Sequence, residues 1–219
     1  MQPILDIEKV QDFEITGDGK APCWRNQEWV PLANVNPEGP QYPTKAKVLY
    51  SNTGIYFLVD CVDERLVSTM TQDFMDLYKE DVVEVFLWPD EAHTVYTEFE
   101  VSPLEFQLIM VVTNNREQGV FNGWFPWRFA GDRRPRIKTT VRGGKKASMA
   151  KVDGWTVEFF LPFKILEGLT NTPPKSGTVW RGNVCRIDYE TGDKTHWSWA
   201  EETGIWFHDF WKFGTFKFK

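Results

Sequence analysis

Several residue types that build common functional sites are scarce in this 219-residue chain. It has three cysteines and three histidines, all widely separated, so neither a disulfide scaffold nor a zinc-binding pattern is present. No apolar run approaches the ~20 residues that cross a bilayer, and no membrane span is predicted. The formal net charge is -6, which argues against general binding to nucleic-acid backbones. The sequence also lacks the Gly-x-Ser-x-Gly of serine hydrolases and a glycine-rich phosphate loop.

The start of the chain and its composition bear on its organisation. The first residues contain neither the basic nor the apolar region of a signal peptide, so we expect either a cytoplasmic protein or one whose leader has been removed. Hydrophobic residues make up 42% of the chain, as in ordinary globular domains. Because there is no internal repeat, low-complexity segment or linker, we predict one domain over residues 1–219.

Short runs rich in β-branched and aromatic residues alternate with turn residues along most of the chain. This spacing is typical of an all-β, antiparallel sandwich or barrel. The ten predicted strands are residues 45–50, 55–61, 82–88, 95–102, 106–113, 136–142, 147–151, 155–161, 182–189 and 215–218. One or two short helices are predicted, at residues 162–166 and, with a weaker pattern, at residues 70–78. Residues 36–43 and 172–176 are predicted to be long loops.

Several of the predicted strands carry charged residues where a core face would be apolar. Because side chains alternate between the two faces of a strand, these charges predict a polar face opposite the core. A solvated outer sheet with cross-strand ion pairs is one interpretation, and a concave surface that binds ligand hydroxyls is the other. The charged residues are Glu84, Glu98, Glu100, Glu158, Arg186 and Asp188.

Tryptophan is unusually frequent, with 11 residues. Indole rings combine a flat apolar face with a polar N–H group, so an excess of them often marks a recognition surface. The densest aromatic stretch is residues 197–213, where glycine and charged residues place Trp206 and Phe207 in a predicted loop. An exposed ring can stack on the C–H groups of a pyranose while nearby polar groups bond its hydroxyls.

The acidic residues support two further hypotheses. Asp63, Asp73 and Asp76 are candidate oxygen ligands for Ca²⁺, although they lack the spacing of an EF-hand. Paired carboxylates among the strand glutamates are the residues that a glycoside hydrolase or lyase would need. Spacing alone does not identify an acid and base pair, so this enzymatic alternative stays open.

Six short motifs, in their order and spacing, resemble the carbohydrate-binding module family 9-like domains. The most specific is Lys-Glu-Asp-Val-Val-Glu-Val-Phe-Leu at residues 79–87, which resembles the family's Asp-x-Val-Glu-Val-Phe strand. The other motifs lie at residues 15–24, 47–60, 155–163, 180–186 and 197–214. The resemblance implies a jelly-roll-like β-sandwich that binds sugars without catalysis. It also implies frequent attachment to glycan-degrading enzymes, and Ca²⁺ in some members.

The resemblance also implies which residues contact the sugar. In xylanase-attached modules, two tryptophan rings enclose the terminal sugar and charged groups bond its hydroxyls. Tyr78 corresponds to the first ring, and Trp206 or Phe207 to the second. Glu84 matches the acidic group, whereas Glu100 falls near a position held by arginine, which implies a different sugar. The predicted ligand-binding residues are Tyr78, Glu84, Glu100, Arg186, Trp206, Phe207 and His208.

The expected partners follow from the same resemblance. They are an oligo- or polysaccharide and a glycan-degrading enzyme, which predicts an extracytoplasmic location if a leader has been removed. A structural Ca²⁺ ion is the one cofactor considered for a sugar-binding domain. Because similar sandwiches host haem, a haem-binding redox domain is a second alternative, with Met75, Met110 and His208 as available axial ligands.

Overall fold

The computed structural model describes residues 1–36, 41–115, 120–190 and 194–219. These residues form thirteen β-strands connected by turns, some of them 3-10 turns. The strands are β1 (Ile4–Lys9), β2 (Val30–Asn34), β3 (Thr44–Tyr50), β4 (Gly54–Cys61), β5 (Val82–Trp88), β6 (Val95–Val101), β7 (Gln107–Asn115), β8 (Val120–Pro126), β9 (Arg136–Arg142), β10 (Gly154–Pro162), β11 (Val179–Asp188), β12 (Thr195–Ser198) and β13 (Gly214–Phe218). None of the described elements is a helix long and apolar enough to cross a membrane.

The strands form a β-sandwich, which confirms the predicted fold class. The first sheet has the order β8-β7-β6-β5-β11, with β12 and β13 both paired to β11. The second sheet has the order β2-β3-β4-β10-β9. Strands β1 and β2 each pair with strands of both sheets, and the two pairings of β1 are parallel. The single domain over residues 1–219 stays a prediction.

The main core lies between the two sheets. Alternate residues of β5 (Val83 and Val85) and of β10 (Val157 and Phe159) meet there, together with Trp155. The pattern arises because successive side chains of a strand point to opposite faces. The opposite faces of β5 and β10 are buried as well. Both strands therefore lack the polar alternation of strands that face water on one side.

A segment of chain covers the outer face of each sheet. Residues 200–213 pack over β5, β6 and β7 through Phe207, Phe210 and Phe213. The N-terminal segment packs over the second sheet through Ile15 and Trp24. Polar residues on these outer faces are consequently enclosed by protein, and the first of the two covered faces holds the cavity described below.

Several local predictions are wrong in the structure. Residues 147–151 do not form a strand, because β9 pairs directly with β10 and only Lys151 forms an isolated bridge, with Arg65. The weaker helix prediction at residues 70–78 is wrong, because only the 3-10 turn Leu77–Lys79 forms there, whereas residues 162–166 form one turn, the 3-10 turn Phe163–Leu166, as their pattern allows. Strands β1, β2, β8 and β12 were missing from the prediction. Half of the predicted loop at residues 36–43, namely residues 37–40, lies outside the described residues.

The prediction that six charged residues form one polar face is also wrong, because these residues occupy three environments. Glu84, Glu98 and Glu100 lie on the outer face of the first sheet. Glu158 lies on the outer face of the second sheet and accepts a hydrogen bond from Trp24 Nε1 at 2.7 Å. The remaining two, Arg186 and Asp188, point between the sheets.

Candidate functional site

A cavity of about 250 Å³ lies between the outer face of the first sheet and residues 205–208. Strands β5 and β6 form its floor, and the 3-10 turn Leu77–Lys79 contributes to its wall. The structure brings six of the seven predicted ligand-binding residues to this cavity: Tyr78, Glu84, Glu100, Trp206, Phe207 and His208. Their role in binding stays a prediction.

Other residues of the wall were not among the predicted site residues. Glu98 could have been included, because it alternates with Glu100 on the same strand. Several of the others come from β8 or from the start of β12, which the sequence analysis did not predict as strands. The additional wall residues are Glu98, Met110, Phe121, Trp124, Ile187, Lys194, His196 and Ile205.

A larger cleft of about 930 Å³ lies elsewhere on the surface. Four of its six charged side chains already have partners: Lys164 pairs with Asp132, Glu167 pairs with Arg133, and Asp12 accepts hydrogen bonds from Thr53 and Tyr56. Convergent polar groups with strongly perturbed pKa values mark candidate functional sites. The smaller cavity holds buried carboxyl groups of this kind, described next, so it is the better candidate.

Three glutamates form the floor of the cavity. Glu84 on β5 lies directly opposite Glu100 on β6, and Glu98 lies two residues earlier on the same face of β6. One oxygen atom from each carboxyl group can be chosen so that all three lie within 4.8 Å of one another. The three residues are at most 2% exposed. Like charges so close together in a buried site strongly disfavour simultaneous ionisation.

The pKa values of all three glutamates are raised. Burial raises the pKa of Glu84 to about 8, and the charge of Lys194 opposes the rise. Burial raises the pKa values of Glu98 and Glu100 well above the usual range, and the neighbouring glutamates add to the rise. Within the described part of the chain, Glu98 Oε2 and both carboxyl oxygens of Glu100 have no hydrogen-bond partner. The backbone amide of Tyr78 makes a minor contribution that lowers the pKa of Glu100. It does not have the geometry of a hydrogen bond to this carboxyl group.

Two histidines line the cavity, and both are neutral at pH 7. His208 Nδ1 is hydrogen-bonded to the Tyr96 hydroxyl at 2.8 Å, and its Nε2 lies 3.7 Å from Glu98 Oε2. Although that carboxyl group is near, burial lowers the pKa of His208 to about 4. Burial also lowers the pKa of His196 to about 4, and none of the described residues forms a hydrogen bond with its Nδ1. The histidines therefore do not neutralise the glutamates.

The mouth of the cavity is aromatic and apolar. Trp206 is 56% exposed, and its ring packs edge-to-face against Phe121 at 6.0 Å between centroids. Trp124 and Ile205 are also partly exposed there. By contrast, Phe207 is buried in the wall. Trp206 is therefore the better match to the second ring implied by the resemblance.

Tyr78 lies on the wall of the cavity and is half-buried. Its backbone carbonyl accepts a hydrogen bond from the Tyr189 hydroxyl at 2.8 Å, which fixes the turn that carries it. Lys79 Nζ lies 5.5 Å from the centre of its ring. Burial raises the pKa of Tyr78, so the side chain is a neutral phenol that can both donate and accept a hydrogen bond.

Arg186 does not reach the cavity, which corrects its prediction as a ligand-binding residue. Its side chain is fully buried between the sheets. The guanidinium donates hydrogen bonds to the Val62 carbonyl at 2.6 Å and to Asp63 Oδ2 at 3.1 Å, and it also bonds Asp188. The guanidinium carbon lies 4.9 Å from the centre of the Trp197 ring. Because successive side chains of β11 point to opposite faces of the sheet, Arg186 lies on the face opposite Glu84.

The three aspartates predicted to bind Ca²⁺ do not meet. Asp63 is buried beside Arg186, and Asp76 pairs with Lys79. Asp73 pairs with Arg134 and accepts a hydrogen bond from the amide of Gln107. The prediction of this ligand set is wrong, because each carboxylate is already engaged with other groups. Within the described residues, the one acidic cluster with metal-ligand spacing is Glu84, Glu98 and Glu100.

Comparisons with known proteins identify relatives of this fold. A candidate carbohydrate-binding protein from Bacteroides uniformis has a TM-score of 0.80 at 15% identity, and each chain is covered over 100% of its length. A family 9 carbohydrate-binding module from Caldicellulosiruptor kristjanssonii in complex with glucose has a TM-score of 0.65 at 18% identity, with 98% of this chain and 96% of that chain covered. The cellotriose complex of a module from the same organism has a TM-score of 0.65 at 16% identity, with 98% of this chain and 94% of that chain covered. No curated protein sequence matches. The family model of the carbohydrate family 9 binding domain-like proteins matches residues 15–219, and the chain belongs to that family.

Proposed function

We propose that this chain binds carbohydrate in the 250 Å³ cavity and catalyses no reaction there. The observation that carries the proposal is the combination of an exposed indole at the mouth with oxygen and nitrogen groups at the floor. A sugar ring presents apolar C–H faces and polar hydroxyls, so it complements both parts. The glucose and cellotriose complexes of family members with the same fold support this class of ligand.

The proposed roles follow from where each side chain lies. Trp206 stacks on one face of a terminal sugar ring at the mouth of the cavity. Glu84, Glu98 and Glu100 contact hydroxyls at the floor, and Tyr78, Lys194 and His208 add polar contacts from the walls. The exposed apolar side chains around the mouth contact the sugar units that follow.

The cavity size and the nature of the contacts predict modest affinity. At ~30 Å³ per water, a volume of 250 Å³ holds about eight water molecules, which suits one sugar ring. A stacked ring contributes ~0.5–1.5 kcal/mol. Each hydrogen bond contributes ~0.5–1.5 kcal/mol, or ~1.5–3 kcal/mol where a charged group such as Lys194 takes part. Association costs at least ~4 kcal/mol. The expected dissociation constant is therefore roughly micromolar to millimolar.

Glycoside hydrolysis is less well supported by this geometry. Hydrolysis needs two carboxyl groups that flank the scissile bond. Glu84, Glu98 and Glu100 all project from one face of one sheet and approach a sugar from the same side. We expect no release of reducing sugar from xylan, cellulose or mannan. Release that disappears in the Glu84→Gln variant would support the enzymatic alternative instead.

Haem binding is also less well supported. Met110 and His208 both line the cavity, but Met75 does not. Its volume of 250 Å³ is below the ~300–1,000 Å³ of pockets that hold drug-sized ligands, and a porphyrin is larger than many of those. A Soret band in the purified protein would contradict this reasoning.

The wider role is part of the same proposal. A non-catalytic domain with modest affinity for sugars is suited to repeated contact with a polysaccharide while an enzyme degrades it. The proposed partners are thus an oligo- or polysaccharide and a glycan-degrading enzyme. An extracytoplasmic location is part of the same proposal.

Isothermal titration with gluco-, xylo- and manno-oligosaccharides tests the proposal. Loss of one stacking contact of ~0.5–1.5 kcal/mol predicts that Trp206→Ala weakens binding about 2- to 12-fold. Trp211→Ala is the matched control, because Trp211 is also partly exposed in the same segment but does not line the cavity. Absence of binding to any glycan, or equal loss in both variants, would contradict the proposal.

A further inference from the structure

The floor of the cavity holds three buried carboxyl groups whose oxygen atoms the surrounding protein does not satisfy. Glu84, Glu98 and Glu100 are at most 2% exposed, and three of their oxygen atoms have no hydrogen-bond partner among the described residues. Burying carboxylates in this way is unfavourable unless a positive charge and ligand contacts replace the lost water. Among the described residues that line the cavity, Lys194 is the one cation, and its side chain is exposed.

The other groups packed against the cluster do not satisfy its oxygen atoms. His208 Nδ1 is hydrogen-bonded to the Tyr96 hydroxyl, and its Nε2 lies 3.7 Å from Glu98 Oε2, beyond hydrogen-bond distance. Cys185 lies opposite Glu84 on β11, and its Sγ is directed to Ser198 Oγ. The Tyr189 hydroxyl donates its hydrogen bond to the Tyr78 carbonyl. The guanidinium of Arg186 is on the far face of the sheet, where it is paired with Asp63 and Asp188.

The spacing of the oxygen atoms fits a shared metal ion. Ca²⁺ binds oxygen ligands at ~2.3–2.6 Å, so two ligands of one ion are at most about 5 Å apart. The three glutamate oxygens lie within 4.8 Å of one another. Protonation alone would remove charge but leave buried oxygens without partners, whereas a metal ion resolves both deficits.

A separate observation also indicates a ligand in this cavity. His196 is 4% exposed, lines the cavity, and has an Nδ1 atom without a hydrogen-bond partner. It lies on β12 and not on the strands that carry the glutamates. Buried polar atoms in native proteins nearly always have a partner, so this wall residue of the cavity is also unsatisfied within the described part of the chain.

We propose that Glu84, Glu98 and Glu100 bind a divalent metal ion with a preference for oxygen ligands, most closely Ca²⁺, at the floor of the cavity. The ion lies above the outer face of β5 and β6 and leaves coordination positions open toward the mouth. Ca²⁺ takes ~6–8 oxygen ligands, more than three monodentate carboxylates supply. Adjacent hydroxyls of a sugar complete the coordination, an extension that rests on the proposed function.

The test uses the full chain after removal of metals with EDTA and dialysis. Calorimetric titration with CaCl₂, MgCl₂ and MnCl₂ is expected to show one site, tightest for Ca²⁺, and Ca²⁺ is expected to raise the melting temperature. Glu98→Gln and Glu100→Gln keep the side-chain shape but remove charge, and we expect each to weaken binding at least tenfold. Asp132→Asn is the control, because Asp132 is an exposed carboxylate outside the cavity. Near-ultraviolet circular dichroism shows whether each variant is folded.

Two results for the metal would overturn the proposal. One is the absence of binding for all three cations in the wild-type protein. The other is unchanged binding in folded Glu98→Gln and Glu100→Gln variants. A third contrary result is binding of glucosamine to the metal-free protein that Glu100→Gln abolishes and Ca²⁺ competes away, because the compensating cation would then be the ammonium group of an amino sugar.

The sugar titrations separate this inference from the proposed function. Oligosaccharide binding that requires Ca²⁺ supports both. Equal binding of neutral sugars with Ca²⁺ and with EDTA supports the proposed function and contradicts the bridging metal ion. Metal binding that depends on the three glutamates, without sugar binding in either state, supports the metal site and contradicts the proposed function.

Discussion

Arg186 provides a sharp test of the structural assignment, because the sequence and the structure give it different roles. A ligand-binding arginine is expected to matter for affinity, whereas a buried arginine between the sheets is expected to matter for stability. Arg186→Met keeps most of the side-chain volume and removes the charge. It leaves Asp63 and Asp188 as two buried carboxyl groups that have lost their common partner.

The magnitude follows from this arrangement. Removing one partner from a buried ion pair costs about 3–5 kcal/mol, because the remaining charge is uncompensated. For a domain of this size each kcal/mol lowers the melting temperature by ~2–4 °C, so the expected decrease is about 6–20 °C. Arg133→Met is the control, since Arg133 pairs with Glu167 at the surface and both side chains are about half exposed. An exposed pair contributes ~0–1 kcal/mol.

The stability deficit of Arg186→Met is also expected to depend on pH. Burial raises the pKa of Asp63 to about 6, and Arg186 opposes that rise. Without the guanidinium, the pKa of Asp63 in the folded protein rises further above its unfolded value of ~3.9. The folded state then binds more protons than the unfolded state, so stability is lost as pH rises through this interval. We expect the stability deficit of Arg186→Met to be smaller at about pH 5 than at about pH 8.

Urea unfolding at several pH values measures the deficit, and calorimetry below the melting temperature measures sugar affinity. The reasoning predicts a large loss of stability with affinity unchanged in the molecules that remain folded. A variant with wild-type stability and no sugar binding would refute it and restore Arg186 to the ligand-binding set. Equal destabilisation by Arg133→Met would show that the loss is not due to the buried position.

The sequence predicted the strands that have a clear local pattern well, and the strands that depend on distant pairing poorly. The bounds of β5 and β9 agree with the predicted residues 82–88 and 136–142, because in both cases turn residues bound an unbroken run of strand-forming residues. β2 is short and contains Pro31, and β12 has four residues. Their strand conformation depends on pairing with each other and with β3 and β11. Such pairings between distant residues are not visible in a local pattern.

Alternation identified which residues share a face but not what covers that face. It correctly placed Glu84 on the side of Val82 and Phe86, and Arg186 on the side opposite Cys185. It could not show that residues 200–213 return over the outer face of β5 and β6. This cover converts a polar face that would be solvated into a buried cluster, and the same tertiary contact creates the cavity. The family resemblance found six wall residues, but His196 and Lys194 required the position of β12.

Two further outcomes follow from buried groups outside the cavity. Glu158 is fully buried and accepts hydrogen bonds from Trp24 Nε1 and two backbone amides, so Glu158→Ala is expected to lose about 3–5 kcal/mol in urea unfolding. A loss below about 1 kcal/mol would contradict this role. Cys61 and Cys185 are fully buried, and burial raises the pKa of Cys61 to about 12. Because the thiolate is the reactive form, both thiols are expected to resist a disulfide reagent in the native protein, whereas the partly exposed Cys23 reacts slowly. Urea is expected to expose all three thiols, and rapid native labelling of more than one would refute the packing of β4 and β11 described above.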